Sequence, residues 1–276
     1  MFIFKDIISS RNNNLIKWAA SLSEKKGRMI EGAFIAEGEK LVFEAVRTKL
    51  PITHVFVIES KSEEIIPKIQ DEFVDECYKK TGVYIVSDSA FEKISTEKSP
   101  QGIICVIKHL DFFRNLDIIY KEEFFLDDQE RTLALCSLRD PGNLGSVIRS
   151  ATAFGVEHIV LTSDCADVYN PKVVRSAMGS LFKIKITVVK DFISFIDAAK
   201  SHGRRIFAAE LSENAKSLRE IELSNNDIFI IGNEGHGIPG EVSSCCDSSV
   251  YIPISEKTES LNASVAAAIF MWEQNK

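Results

Sequence analysis

TLALCSLRDPGNLGSVIRSATAFG, residues 132–155, sets the architecture of the second half of the chain. Thr132 to Leu138 is an apolar run of strand length that leads directly into Asp140-Pro-Gly-Asn-Leu-Gly145, where proline and two glycines favour a turn. Beyond the turn, Val147, Ile148, Ala151 and Phe154 recur at helical spacing, and Ser146 is the expected N-cap. A strand feeding a helix in this way predicts one unit of a parallel sheet. Arg149 lies off the apolar stripe, a fixed cation on the first turns of a helix at the carboxyl end of a strand. There it can meet a phosphate or a developing oxyanion, and an ordinary surface arginine is the competing reading.

The same pattern repeats downstream. Apolar runs at 158–163, 183–189, 205–211, 227–232 and 250–254 alternate with helical segments, which predicts a parallel sheet with helices on both faces. Ligands of such sheets bind beyond the carboxyl ends of the strands. Two polar segments fall there. IGNEGHGIPG (231–240) has four glycines in nine residues, which lets backbone groups approach a ligand closely. It lacks the Lys-Ser/Thr of a phosphate loop and the spacing of a dinucleotide fingerprint, so a plain loop also stays open. YIPISEKTESLNAS (251–264) runs into the apolar helix SVAAAIFMW, with Ser260 and Asn262 as helix caps or as polar groups at an anion-binding helix terminus.

Upstream, the first 110 residues predict a smaller α/β domain. Leu15, Ile16, Trp18, Ala19 and Leu22, then Leu41, Val42, Ala45 and Val46, follow helical spacing, and strands are expected at 33–37, 53–60, 82–88 and 102–108. Between about 109 and 131 the pattern breaks into aromatic and acidic clusters such as DFFRNLD and KEEFFLDD. The expected division is therefore a domain over 1–110, a linker over 111–130 and a second domain over 131–276.

Composition narrows the function. The 276 residues are 45% hydrophobic and 26% charged, which excludes a disordered tail, a fibrous rod and a disulfide scaffold. No run approaches the ~18 apolar residues of a membrane span, and the start of the chain turns polar too soon for a signal peptide, so a cytoplasmic protein with no membrane partner is expected. Six cysteines form no CxxC pair and are expected to be reduced thiols, three of them within strand-like runs. The net charge of -7 argues against a general nucleic-acid coat. Residues 5–28, however, carry six Lys and Arg against two acidic residues, a basic arm that leaves -11 for the rest of the chain. Lys17, Lys25, Lys26 and Arg28 are its candidate contacts to an anionic partner, unless the run is a solvated helix face. The five histidines are scattered without ligand spacing, and no metal is expected.

Taken together and in this order, the three polar segments resemble the motifs of the SpoU (TrmH-like) family of SPOUT methyltransferases. The family pattern has Asp-Pro-x-Asn-x-Gly with an arginine six residues after the Asn, then Gly-Asn-Glu-Gly-x-Gly, then Ile-Pro-Met with Ser-Leu-Asn-Val-Ser. PKVVRSAMGSLF (171–182) is similar to a further family segment, and the N-terminal region is similar to the substrate-binding domain that many members carry in front. The resemblance implies an α/β protein whose C-terminal SPOUT-type parallel sheet holds a deep trefoil knot, preceded by a smaller L30e-like α/β domain. It implies a homodimeric enzyme that moves a methyl group from S-adenosylmethionine to a ribose 2'-hydroxyl of structured RNA, ribosomal RNA first and transfer RNA second. Carried onto this sequence, Asn143, Arg149, Glu234, Ser260 and Asn262 are the functional polar positions, and Gly232, Ile252 and Leu261 are the cofactor contacts. The sequence departs from the pattern at Ile254, where Met is usual, and at Glu256, where Gly is common. A non-catalytic RNA-binding module on the same fold is the alternative. Arg149 and Asn262, which such a module could lose, are both present.

Overall fold

The computed structural model describes residues 1–111, 113–116, 130–233 and 235–275, with backbone only at Lys5 and over 113–116. Most of the expected linker 111–130, and Glu234, lie outside the described residues. The chain packs as two units, one made of Met1–Leu110 and Asp167–Lys183, the other of Asp111–Ala166 and Ile184–Lys276.

The first unit begins β1 (Phe2–Ile8), α1 (Asn14–Ser21), α2 (Lys25–Glu31), β2 (Ala33–Glu37), α3 (Glu39–Arg47), β3 (Ile52–Ile58), α4 (Ser62–Glu72), β4 (Gly82–Val86), α5 (Asp88–Ile94) and β5 (Ile103–Lys108). The strands form a mixed sheet in the order β1-β4-β3-β5-β2, in which β5 runs antiparallel to both neighbours. Helix α1 starts where the Asn13 side chain accepts the Leu15 N–H at 2.8 Å. Its apolar stripe, Ile16 and Ala19 with Leu22 just beyond, packs with α5 residues Ala90, Phe91 and Ile94 on Phe56, Ile104 and Val106. The alternate residues Val55, Val57 and Cys105 are equally buried, so both sheet faces are covered.

Downstream come β6 (Phe113–Leu116), β7 (Thr132–Leu135), α6 (Pro141–Ala153), β8 (His158–Thr162), α7 (Pro171–Ala177), β9 (Lys185–Val189), α8 (Phe192–Ser201), β10 (Ile206–Ala209), β11 (Lys216–Ser217), β12 (Ile228–Ile231), α9 (Gly240–Ser243), β13 (Ser248–Tyr251) and α10 (Ala263–Gln274). Eight strands build one sheet in the order β11-β13-β10-β12-β7-β8-β9-β6, and every pairing is parallel. Strands after β7 first fill one side, β8 and β9, and then the other, β10 and β12. The order therefore reverses between β7 and β12, where open α/β sheets place their ligand crevice. One core forms where Phe195, Ile196 and Ala199 of α8 meet Ala134, Ala208 and Ile230 of the sheet. Elsewhere Phe270 of α10 packs on Phe229 with ring centroids 4.7 Å apart, and α10 also lies along α6.

Residues 167–183 complete the first unit, although the sequence carries them inside the second. Tyr169 stacks on Phe34 at 4.5 Å and on His109 at 4.4 Å, its hydroxyl accepts the Leu110 N–H at 2.9 Å, and Phe182 closes on Phe34 from 6.5 Å. Gly179, at φ +90°, sits against the Glu44 side chain, where any other residue would need both that backbone conformation and that space.

Candidate active site

The site is built from the loops that follow β7, β12 and β13. After β12 the chain turns back sharply, with Asn233 and Gly237 exchanging backbone hydrogen bonds of 3.0 and 2.9 Å. A Cβ on Gly232 would stand 2.5 Å from the backbone carbon and oxygen of Gly237, so only glycine permits this approach. The Asn233 side chain fixes two loops at once. Its Oδ1 accepts the Gly235 N–H at 2.8 Å, and its Nδ2 donates to the Ser137 carbonyl at 2.9 Å. Ser137 is held at φ 56°, in the left-handed region that few residues other than glycine adopt, and its N–H donates to Thr162 Oγ1 at 2.8 Å. Such strain persists where the surroundings enforce it, and it aims the chain towards α6.

Helix α6 begins earlier than the sequence suggests. Its N-cap is Asp140, whose carboxylate accepts the Asn143 N–H at 2.8 Å, followed by Pro141 at the first helical position. The expected cap Ser146 lies inside the helix instead, because an Asp-Pro pair combines a strong cap with a φ already set for helix. Asn262 is the N-cap of α10, accepting the Ser264 N–H at 3.0 Å and its hydroxyl at 2.6 Å. The Asn262 Nδ2 then donates to Asn143 Oδ1 at 3.0 Å. One amide-to-amide bond thus ties together the N-termini of two helices. Arg149, about 9 Å along α6 from Asn143 at 1.5 Å per residue, is exposed and makes no ion pair or hydrogen bond among the described residues.

Beside this pair opens a cleft of about 440 Å³ at the carboxyl ends of β10, β12 and β13. That size suits a small ligand. Gly232, Ile252, Leu261 and Ser260 line it, with Ile231, Ala263, Ala266 and Phe270 as an apolar wall. Of the residues expected from sequence, four therefore share the cleft and Asn143 and Asn262 are bonded to each other, while Glu234 lies outside the described residues. Three that sequence reasoning missed also shape the site: Ser137, Asn233 and Glu210. Asn233 stands inside a quoted motif, but its role appears only with the loop closure that it makes.

The basic arm divides. Lys17 on α1 and Lys25 and Lys26 on α2 are exposed and make no ion pair among the described residues. Arg28, expected with them as an RNA contact, is corrected: it is 2% exposed. Its guanidinium donates to Asp167 from Nε at 3.1 Å and Nη2 at 2.5 Å, and from Nη1 to the carbonyls of Leu22 and Ser23 at 2.9 and 2.7 Å. Four of its five N–H donors are engaged within the protein, and its burial keeps the guanidinium from a phosphate in solution.

Comparison with known proteins gives two family matches: the SpoU rRNA Methylase family over residues 130–272, and the MRM3-like substrate binding domain over residues 13–105. The chain is 32% identical, over 97% of its length and 98% of the relative's, to the 23S rRNA (guanosine(2553)-2'-O)-methyltransferase RlmP of Bacillus subtilis. It is 26% identical to the 23S rRNA (uridine(2479)-2'-O)-methyltransferase of Streptomyces viridochromogenes, covering 96% of this chain and 90% of that one. The crystal structure of an AdoMet-bound rRNA methyltransferase from Sinorhizobium meliloti superposes with a TM-score of 0.80 at 26% identity, covering 99% of this chain and 97% of that one.

Proposed function

The chain belongs to the SpoU rRNA methylase family, and on that footing we propose that it methylates a ribose 2'-hydroxyl of ribosomal RNA in the cytoplasm with S-adenosylmethionine as donor, transfer RNA being the second candidate substrate. The observation that carries this reading is the convergence of Gly232, Ile252 and Leu261 on one cleft whose edge adjoins the bonded pair Asn143 and Asn262. Its apolar wall and its glycine-tight turn suit an adenosyl group held largely by backbone, and no metal enters the reaction.

When bound, S-adenosylmethionine supplies a methyl group already activated on a sulfonium. The protein's task is then alignment and the management of one proton. Arg149 stabilises the developing 2'-oxyanion and clamps a neighbouring phosphate, because a guanidinium stays protonated in proteins and serves poorly as a base. The proton leaves through an RNA phosphate, water or a nearby polar group. Asn143 and Asn262 fix the helix termini that frame the reacting groups, with Ser260 on the cleft wall, and Glu234 completes the set by its place in the family pattern.

In this reading the first unit, residues 1–110 completed by 167–183, is an L30e-like RNA-binding domain, and the second is the methyltransferase domain, which takes β6 from the expected linker 111–130 into its sheet, with the C-terminal segment drawn into a trefoil knot around the cofactor. Lys17, Lys25 and Lys26 supply phosphate contacts that set register. The protein acts as a homodimer. Val265 and Trp272 of α10 are about half exposed, and a helix that needs only one apolar face to cover a sheet carries them on another. Light scattering that finds an active monomer at nanomolar concentration refutes the dimer. Calorimetric titration with S-adenosylmethionine, followed by mapping of 2'-O-methyl sites in RNA from cells with and without the protein, tests the function. No cofactor binding, or no site that depends on the protein, refutes it.

A further inference from the structure

Glu210 is the first residue beyond β10, and it faces the cleft. Its N–H donates to the Val250 carbonyl at 3.1 Å, which anchors its backbone to β13. Its carboxylate is held from behind. Ser243 and Ser249 both donate their hydroxyls to Oε1, at 2.5 and 2.8 Å. Among the described residues Oε2 has no partner, and no lysine, arginine or histidine forms an ion pair with Glu210. A carboxylate oriented by two hydroxyls, without a cation and on a largely apolar cleft, presents an unused strong acceptor to whatever binds there.

Strand order then says which part of a ligand it meets. β10 is separated from β7 by β12 alone, so Glu210 and the loop after β7 that leads to Asn143 stand two strand spacings apart, about 10 Å at ~4.8 Å each. The paired asparagines mark the polar edge where the reacting groups gather. Glu210 marks the opposite edge, a nucleoside's length away. Resting on the cofactor reading above, we propose that Glu210 is a specificity-determining residue that accepts hydrogen bonds from the 2'- and 3'-hydroxyls of the cofactor's adenosyl ribose. Ser243 and Ser249 position it, and it selects a ribonucleoside rather than responding to the charge at sulfur.

The test is calorimetric and uses the full chain with S-adenosylmethionine, S-adenosylhomocysteine and the 2'-deoxy and 3'-deoxy forms of the latter. Wild type should bind the deoxy ligands about ten- to a hundredfold more weakly than S-adenosylhomocysteine, the scale of a hydrogen bond to a charged group. Glu210→Ala should bind all of them weakly and within about threefold of one another, losing as much for S-adenosylhomocysteine as for S-adenosylmethionine. Glu210→Gln, which can still accept from both serines and so keeps the fold, should lose part of the discrimination with an unchanged melting temperature. Discrimination that persists in Glu210→Ala overturns the inference. So does a loss confined to S-adenosylmethionine, which would make Glu210 a reader of the sulfonium charge. Wild-type protein that binds none of the four ligands refutes the cofactor reading itself, and this inference with it.

Discussion

Asn262 serves two purposes that substitution can separate. Its Oδ1 caps α10 through Ser264, and its Nδ2 bonds Asn143. Removing the cap costs about 1 kcal/mol, and losing an exposed amide-to-amide bond adds about 0.5 kcal/mol, the low end for a hydrogen bond. Asn262→Ala should therefore lower stability by about 1.5 kcal/mol, or roughly 3–6 °C in melting temperature for a chain of this size. Serine caps a helix about as well as asparagine but cannot reach Asn143. Asn262→Ser should keep the melting temperature within about 1–2 °C. If the tie to Asn143 positions the reacting groups, both variants should lose turnover to the same degree, between about five- and thirtyfold for 1–2 kcal/mol of positioning. Asn262→Asp keeps the cap and gains from the helix dipole, yet turns an oxygen towards Asn143 Oδ1, so it should be stable and slow. Thermal unfolding followed by circular dichroism gives the first quantity, and transfer of a labelled methyl group to RNA lacking the native modification gives the second. Wild-type turnover in Asn262→Ser would refute the positioning role and leave Asn262 a cap alone.

Three further outcomes are expected. Arg149→Ala should retain cofactor affinity in calorimetry while turnover falls by about 10²-fold or more, the effect of removing one oxyanion donor; undiminished turnover would reject the assignment. Replacing Lys17, Lys25 or Lys26 with Gln should flatten the dependence of log K for RNA on log salt by ~0.7–0.9 for each phosphate no longer neutralised, whereas Arg28→Leu should leave that slope alone and cost about 3–5 kcal/mol in denaturant unfolding, because it strands Asp167 without its partner. Acid should destabilise the second unit through Glu130 and His158, which share the start of β7 and β8. Burial opposes ionisation of Glu130, but hydrogen bonds and charge from His158 and Lys185 prevail and hold its carboxyl at about 2, while burial keeps the His158 imidazole below its ordinary 6.5. The unfolded chain then takes up protons that the folded one refuses, first at His158 below about 6.5 and then at Glu130 below the ordinary carboxylate range. Stability should fall as pH drops from 6.5 towards 2, and Glu130→Gln should remove the lower part of that fall, about 3 kcal/mol; an unchanged pH profile in that variant would reject the coupling.

Much of the second unit was legible because a parallel sheet writes itself as apolar runs, and β7, β8, β9, β10 and β12 all fall within expected runs. The cap at Asn262 was legible too, since a capping residue directly before an apolar stripe is a local signal. What escaped was set by distant parts of the chain. β1 was missed because its run is interrupted by Lys5 and Asp6, and β6 because its residues sit among acidic and aromatic clusters that carry no clear period. Arg28 belongs to a run of surface charge by sequence, and only Asp167, 139 positions away, draws it inside. Glu210 carries no motif. Its place follows from strand order, and the crossovers that put β10 between β12 and β13 leave no mark on residues 205–211.

The discontinuous first unit bears on how the protein is made. A chain emerging from the ribosome delivers β1 to β5 by Leu110, but Phe34 still lacks Tyr169 and Phe182, and Arg28 still lacks Asp167. At ~5–20 residues per second, the roughly 70 residues from there to Lys183 take about 4 to 15 s to synthesise. For that interval the nascent sheet carries an uncovered aromatic ring and a guanidinium without its carboxylate, and the first unit to be started cannot be finished until β7, α6 and β8 of the second have been translated. Any pause in translation between codons 110 and 183 would prolong that exposure, since the partners of Phe34 and Arg28 are the last parts of the first unit to be made.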